Sequence, residues 1–109
     1  MNNYDFIIIG AGASGLLLAD AMGSDSFFAQ KKILILDKDA KKTNDRTWCY
    51  WEKGEGQFDE IVHKNWEELH FEGSQISKRT EIAPYSYKMI KGIDFYNYYS
   101  NRIKGYANI

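Results

Sequence analysis

The sequence predicts an α/β fold that begins with a strand, a helix and a second strand. Residues 4–9 read YDFIII and become continuously apolar, which is typical of a strand buried on both faces of a parallel sheet. Residues 14–22 are compatible with a helix, and Gly23 is a suitable stop. A second apolar run, KILILDKD, begins at Lys32. This order predicts a partial Rossmann-like βαβ unit over residues 4–38.

Residues 39–109 predict a loop, an inserted β-hairpin and a C-terminal helix. Residues 39–57 are polar and glycine-bearing, so we expect a long loop there although the segment contains RTWCYW. From Trp66, the segment WEELHFEGSQISKRTEI predicts two short strands around a turn at Gly73 and Ser74.

The last part of the chain predicts one strand and one helix. Pro84 breaks the chain, and the following YKMI predicts a short strand. Residues 93–103 carry apolar and aromatic side chains at helical spacing, and Gly105 would end that helix. The final YANI is compatible with a further strand.

The strand at residues 4–9 lacks one of its expected neighbours. A doubly wound sheet places its first strand in the middle, with a strand on each side. Here one side would be a bare apolar edge, and such edges invite pairing. We therefore expect the 109 residues to be the N-terminal part of a larger domain. A missing C-terminal region, or self-association, would cover the edge.

Composition and charge exclude several classes of protein. The net charge is −1, from 14 basic and 15 acidic residues, and no basic block is present, so no nucleic-acid partner is expected. A single cysteine, Cys49, allows no internal disulfide and favours the cytoplasm. The N-terminal apolar run contains glycines, ends at Asp20 and follows no positive side chain, so neither a signal peptide nor a membrane span is predicted.

No metal site or catalytic side chain is predicted either. His63 and His70 are seven residues apart, and together with Cys49 they match no zinc spacing. Cys49 has no basic partner that the sequence reveals, so we do not expect a nucleophile. Three acidic residues are interpreted as solvated loop carboxylates and not as catalytic groups: Glu52, Glu55 and Asp59.

The glycine-rich segment predicts a dinucleotide-binding site. Gly10, Gly12 and Gly15 have the spacing G-x-G-x-x-G. The first glycine allows a tight turn, the second a close approach of a pyrophosphate, and the third close packing of helix on strand. N–H groups at the start of the helix favour an anion. The candidate cofactor-binding residues in this segment are Gly10, Ala11, Gly12, Ala13, Ser14 and Gly15.

Three charged residues complete the predicted site. Asp37 follows Gly15 by 22 residues, at the end of the second strand, where a carboxylate accepts hydrogen bonds from an adenosine ribose and disfavours a 2′-phosphate. Lys38 and Arg46 are cations within reach of a phosphate or ribityl oxygen, or else solvated surface charges. NAD and FAD share the ADP half, but the extreme N-terminal position of the glycines favours FAD. The alternative is a glycine-rich turn with a solvated Asp37.

Several segments together resemble the lycopene cyclase family. These are YDFIIIGAGASGLLLA, ILILDKD, YKMIKGIDFYNY at residues 87–98, and especially NDRTWCYW at residues 44–51. Many flavoproteins share the glycine loop, whereas NDRTWCYW is far more particular. Tyr50 departs from the family in a small way, because phenylalanine is frequent at its position.

The resemblance implies a flavoprotein with a fold similar to the aromatic-hydroxylase type of FAD enzyme. Such cyclases close the ψ ends of lycopene into β-ionone rings in carotenoid biosynthesis. This isomerisation has no net redox change but needs reduced FAD, with NADPH as electron donor. Because lycopene dissolves in lipid, peripheral membrane contact is also implied.

The resemblance assigns few residues by number. Gly10, Gly12, Gly15 and Asp37 match the family's cofactor motif, and Arg46 matches an arginine that approaches the flavin side. The family's acidic catalytic motif lies beyond residue 109, so no catalytic residue is assigned and the chain alone is expected to be inactive. Two alternatives stay open: an FAD-dependent oxidoreductase of the monooxygenase or polyprenyl reductase type, and a truncated nucleotide-binding remnant.

Overall fold

The computed structural model describes residues 2–40 and 43–109, which form a mixed α/β structure of two compact units. Unit 1 combines Thr43 and the described residues before it with Ile93–Ile109, and unit 2 is Asn44–Gly92. In chain order the elements are β1 (Phe6–Ile9), α1 (Ala13–Ser24), β2 (Ile33–Leu36), β3 (Thr47–Lys53), β4 (Val62–Trp66), β5 (Glu68–Glu72), β6 (Ser77–Glu81), β7 (Tyr85–Lys91) and α2 (Gly92–Lys104).

Unit 1 contains the strand, helix and strand that the sequence predicts at its start. β1 and β2 are parallel and pair from Phe6 opposite Ile33 to Ile9 opposite Leu36. α1 connects them and continues two residues beyond the predicted end. The connection also includes a short 3₁₀ turn at Ser26–Phe28. The local order of apolar runs and glycines is therefore enough to find these elements.

The expectation that β1 is buried on both faces is wrong for the described residues. Ile8 is 8% exposed, whereas Ile7 is 57% and Ile9 is 86% exposed. Successive side chains of a strand point to opposite faces, so only the face that carries Ile8 is covered. Gly15 of α1 lies against that face, close to Ile8. Within the part of the chain that the structure describes, the opposite face has no covering layer.

The core of unit 1 is formed mainly by the two helices. Its buried side chains from α1 are Leu16, Ala19 and Met22, and those from α2 are Phe95, Tyr96, Tyr99 and Ile103. The helix-spaced stripe of α2 is therefore packed into a core, as aromatic side chains at this spacing commonly are.

Polar contacts near the end of the chain add to this packing. Asp20 of α1 accepts hydrogen bonds from Arg102 Nε at 2.9 Å and from the Tyr106 hydroxyl at 2.6 Å. The final residues form a turn and not the strand that YANI allowed. Even so, the Asn108 carbonyl accepts the N–H of Ile33 at 2.9 Å, beside β2.

Unit 2 contains a three-stranded antiparallel sheet in the order β3-β7-β4. The predicted loop over residues 39–57 is therefore wrong at Thr47–Lys53, where β3 pairs with β7 along its whole length. Residues 41–42 of that predicted loop lie outside the described residues. The strand predicted at YKMI is confirmed and is longer than expected, spanning Tyr85–Lys91.

The predicted hairpin is also confirmed in unit 2. β5 and β6 pair from Glu68 opposite Glu81 to Glu72 opposite Ser77. The N–H of Gly73 donates to the carbonyl of Ile76 at 2.7 Å and closes the turn. Except for half-buried Leu69, the residues of both strands are exposed.

Candidate functional site: the glycine loop of unit 1

Gly10 makes the turn that leaves β1. Its φ is +102°, a backbone conformation that L side chains rarely adopt and glycine adopts easily. Its N–H donates to the carbonyl of Leu36 at 2.7 Å, so the pairing of β1 with β2 extends one residue into the loop. A substitution at Gly10 would therefore strain the backbone although nothing lies near its Cβ position.

Gly12 caps the start of α1 and leaves open space beside it. Its φ of −77° is ordinary, and no side chain caps the helix at this position. A Cβ placed on Gly12 would meet no described atom within 4 Å. The next residues, Ala13 and Ser14, are small and uncharged. The start of the helix thus combines unshielded N–H groups with room for an anion.

Gly15 brings the helix close to the first strand. A Cβ on Gly15 would overlap the carbonyl oxygen of Gly10 and lie 3.4 Å from Cγ2 of Ile8. This overlap is with backbone, which has little freedom to move away. The third glycine of the motif is therefore required for helix–strand packing, and the second for open space.

Asp37 lies directly against the loop. Its Oδ2 accepts the N–H of Ala11 at 2.6 Å, and its Oδ1 accepts the N–H of Asp39 at 2.7 Å. The sequence predicted Asp37 as a ribose acceptor but did not predict this contact with the loop. The spacing of residues gives no signal for it, since the partners are 26 residues apart.

A cleft of about 400 Å³ lies at the carboxyl ends of β1 and β2. It is lined by Ile9, Gly10, Leu36, Asp37 and Lys38. Ligands of open α/β sheets bind outside the carboxyl ends of the strands, so the location is typical of a nucleotide site. The structure thus brings Asp37 and Lys38 together with the first glycine of the motif.

Arg46 belongs to unit 2, where it directly precedes β3. Its carbonyl accepts the N–H of Gly92 at 2.7 Å. A Cβ on Gly92 would lie only 2.7 Å from that carbonyl oxygen, so a glycine allows this close approach. These contacts involve the backbone of Arg46, and the flavin-side role of its guanidinium stays a prediction.

Sequence reasoning missed a buried ionic cluster in unit 2. Lys88 is 3% exposed, and its Nζ donates to Glu52 at 2.8 Å, to Asp59 at 2.7 Å and to the carbonyl of Gly54 at 2.9 Å. Glu52, half-buried in β3, is therefore not the solvated loop carboxylate that the sequence predicted, whereas Asp59 is exposed and also pairs with Lys88. Hydrogen bonds to Asp59 and then Glu52 raise the pKa of Lys88. A lysine held protonated in this way is suited to fixing the loop after β3 and not to acting as a base.

Tyr50 lies close enough to this cluster to be affected by its charges. Its ring packs edge-on against Phe58, with centroids 6.0 Å apart. Its hydroxyl is buried and has no hydrogen-bond partner among the described residues. Burial, followed by the charge of Glu52, raises the pKa of Tyr50, so the phenol stays neutral.

The other side-chain groups of the described chain offer less for a nucleotide. A cleft of about 630 Å³ in unit 2 is lined by Glu67, Glu68 and Arg79 among others, and Arg79 lies 3.9 Å from Glu68. The two carboxylates outnumber the one guanidinium, which disfavours a pyrophosphate. Across residues 2–40 and 43–109, no three His, Cys, Asp or Glu side chains come together as a metal site would require.

In the same described residues, neither helix has the length and apolar character needed to cross a membrane.

Comparison with known proteins identifies the family. The family model described as lycopene cyclase protein matches residues 5–107 of the 109-residue chain. No curated protein matches the chain. The matched range includes both the glycine loop of unit 1 and the NDRTWCYW segment of unit 2. The resemblance that these segments indicate is therefore confirmed, and the chain belongs to the lycopene cyclase family.

Proposed function

We propose that this chain provides the FAD-binding glycine loop of an enzyme that cyclises the ends of lycopene to β-rings. Membership of the lycopene cyclase family indicates a function related to carotenoid cyclisation. The observation that carries the proposal is a cleft at the carboxyl ends of two parallel strands that Gly10 and Asp37 line. Two residues after Gly10, Gly12 leaves open space at the start of α1. That arrangement supports a dinucleotide cofactor in a protein of this family.

The residues present fit the ADP half of FAD. The open space at Gly12 and the start of α1 suit the diphosphate, whose charge the helix N-terminus favours. Lys38 lines the cleft beside Gly10 and Asp37 and adds a positive charge there. Asp37 would accept hydrogen bonds from the ribose, because each carboxylate oxygen accepts more than one. The same carboxylate would disfavour the 2′-phosphate of NADP at this position.

The proposed reaction depends on charge held in a dry site. When bound and reduced, FAD would supply a negative charge that stabilises a carbocation. The role of the described residues is to bind and orient the ADP end of that group. The proposal includes NADPH as electron donor, lycopene or a related carotenoid as substrate, and peripheral contact with the membrane in which such substrates dissolve.

Binding of ADP to the 109-residue chain tests the proposed cofactor site. Calorimetry should show weak ADP binding that Gly12→Val abolishes, because the new side chain fills the space left for the diphosphate. Gly73→Val, in the hairpin turn of unit 2, should bind ADP like the wild type, since the atom that its Cβ would approach, Cγ2 of Ile76 at 3.3 Å, belongs to the same turn and not to the glycine loop. Equal ADP affinity in Gly12→Val and the wild type would contradict the proposal.

Turnover tests the proposed reaction. Protein expressed from the complete gene should convert lycopene to a cyclised carotene under anaerobic conditions with NADPH and FAD. A cyclase consumes no NADPH beyond the priming of the flavin, whereas a monooxygenase or reductase consumes at least one equivalent for each product formed. Consumption of NADPH in proportion to product would therefore replace the proposal with the oxidoreductase alternative.

A further inference from the structure

We propose that Asp37 is a positioning residue that holds the glycine loop in its anion-binding shape before any ligand arrives. One carboxylate accepts two backbone N–H groups from different segments: Ala11 in the loop after β1, at 2.6 Å, and Asp39 after β2, at 2.7 Å. This role is additional to the ribose contact, which concerns the bound state alone.

The contact holds the residue that directly follows the turn at Gly10. The N–H of Gly10 donates to the carbonyl of Leu36, and the next N–H, of Ala11, donates to the Asp37 side chain. Two successive loop amides are therefore tied to two successive residues at the end of β2. A glycine-rich loop loses much conformational entropy when it is ordered. Ordering it in advance lowers that cost for the ligand, which is the general benefit of preorganisation.

The carboxylate has a chemical advantage over a neutral side chain here. Hydrogen bonds from N–H groups to an ionised acceptor are shorter and stronger than neutral ones. An asparagine at position 37 would keep one oxygen acceptor, and its amide would present a donor to the second N–H. Asp37→Asn therefore preserves size but cannot satisfy both Ala11 and Asp39.

A ligand without ribose separates the two roles of Asp37. If Asp37 acts only on the ribose, its charge repels inorganic pyrophosphate, and Asp37→Asn should strengthen pyrophosphate binding. If Asp37 also holds the loop, Asp37→Asn removes the same repulsion but releases the loop, and we expect the second effect to be the larger. Pyrophosphate binding should then weaken, by up to about fivefold for the loss of one hydrogen bond. The two roles thus predict changes of opposite sign.

Asp5 provides a matched control on the same pair of strands. Its Oδ2 accepts the N–H of Lys32 at 2.8 Å, at the amino end of β1 and β2. Asp5→Asn removes the same charge and the same type of contact, at the other end of the strands. Its pyrophosphate affinity should equal or slightly exceed that of the wild type.

Hydrogen exchange of the Ala11 amide tests the proposal without a ligand. In the free 109-residue chain, the amide of Ala11 should exchange at least about tenfold faster in Asp37→Asn than in the wild type or Asp5→Asn. Asp37→Glu, which keeps the charge, should recover part of the protection. An Ala11 exchange rate unaffected by Asp37→Asn, or a pyrophosphate affinity raised by it, would overturn the proposal.

The same proposal can be tested in the wild type if Asp37→Asn fails to fold. During an acid titration, the Ala11 amide proton shift should change together with the carboxyl ¹³C signal of Asp37. An Ala11 shift that does not follow that signal would overturn the proposal. The pyrophosphate test rests on the proposed function, because it assumes that the loop binds an anion. The hydrogen-exchange and titration experiments need no ligand and do not depend on that function. A wild-type chain that binds no nucleotide would thus contradict the proposed function and leave this test intact.

Discussion

At the scale of single residues, two glycines of the same motif are required for different reasons. A Cβ on Gly15 would overlap backbone atoms of Gly10, whereas a Cβ on Gly12 would enter open space. Gly15→Ala should lower the free energy of unfolding of unit 1 by about 2 kcal/mol, because overpacking against backbone cannot be relieved by side-chain motion. Gly12→Ala should cost less than about 1 kcal/mol, the effect of a poorer helix cap.

The helical circular dichroism signal checks this pair of variants. Every residue of α1, and every residue of α2 after Gly92, belongs to unit 1, so this signal follows its unfolding in urea. Equal losses of stability in Gly12→Ala and Gly15→Ala would contradict the distinction between open space and close packing.

The ion pair between Lys88 and Asp59 predicts, also at the residue scale, how the stability of unit 2 changes in acid. The hydrogen bond from Lys88, followed by a backbone hydrogen bond from Gly56, lowers the pKa of Asp59 below its ordinary value of 3.8. A lowered carboxyl pKa contributes stability that is present above the ordinary value and is lost as the pH falls through the lowered one. In Lys88→Met this contribution is missing, so the variant should be less stable than the wild type at pH 7, by about 1 kcal/mol, because the Asp59 side chain is 40% exposed and solvent screens the pair.

Tryptophan fluorescence measures the effect of Lys88→Met, since Trp48, Trp51 and Trp66 all belong to unit 2. Urea unfolding at a series of pH values should show the difference between wild type and variant at neutral pH. That difference should shrink as the pH falls from the ordinary value of 3.8 through the lowered pKa of Asp59. A difference that stays constant through this acid range would show that the ion pair is not its cause.

At the scale of secondary-structure elements, Tyr106 follows α2 and contacts α1. Its hydroxyl donates to Asp20 at 2.6 Å, and its ring lies against Gly23, where a Cβ would overlap it. Tyr106→Phe keeps the ring and removes the hydrogen bond, so we expect a loss of about 1 kcal/mol in the stability of unit 1. Gly23→Ala, which disturbs the ring and not the hydroxyl, should destabilise at every pH.

Alkaline pH distinguishes the hydrogen bond from the packing of Tyr106. The hydrogen bond to Asp20 raises the pKa of Tyr106 above 10.0. The hydroxyl therefore stabilises the folded state below pH 10.0, and this contribution is lost as the pH rises through the raised pKa. The wild type and Tyr106→Phe should converge in stability at strongly alkaline pH, as followed by helical circular dichroism. If the stabilities of the wild type and Tyr106→Phe instead differed by the same amount at every pH, the hydrogen bond from Tyr106 to Asp20 would not be the cause of the difference.

The elements also show what the sequence could and could not predict. β1, α1 and β2 were found because glycine spacing and apolar runs are local signals. β3 was missed because TWCYWEK places Trp48 and Tyr50 on one face, and Cys49 and Trp51 on the other. With large side chains on both faces, its period of two does not appear as an alternation of apolar and polar residues. Its partner β7 is also remote in sequence.

For the candidate site, as for the elements, the sequence predicted the residues but not the contacts between them. The glycines and Asp37 follow a local spacing rule, and the structure places Gly10, Asp37 and Lys38 on one cleft. The hydrogen bond from Ala11 to Asp37 could not be predicted, because it depends on how the ends of two strands meet. The Lys88 cluster was unpredictable for the same reason, since Glu52 and Lys88 are 36 residues apart.

At the scale of the whole molecule, the division into two units predicts which amides a bound nucleotide protects from hydrogen exchange. The glycine loop, Asp37 and Lys38 all belong to unit 1. Ligand bound to the folded state stabilises it by mass action, and amide protection rises where the ligand orders the backbone. ADP should therefore slow hydrogen exchange at residues 10–15 and 37–38. The exposed hairpin strands β5 and β6 of unit 2 should exchange at the same rate with and without ADP.

Two controls, measured by hydrogen exchange at single residues, test whether the protection comes from the diphosphate. Gly12→Val should show no ADP-dependent protection anywhere, because the diphosphate cannot approach the start of α1. Adenosine, which lacks phosphates, should protect the loop much less than ADP, since the helix N-terminus interacts with the anion and not with the base. If ADP instead protected β5 and β6, or if adenosine protected residues 10–15 as strongly as ADP, the glycine loop would not be the diphosphate site. In that case the motif would serve only the packing of α1 on β1, for which Gly15 alone gives sufficient reason.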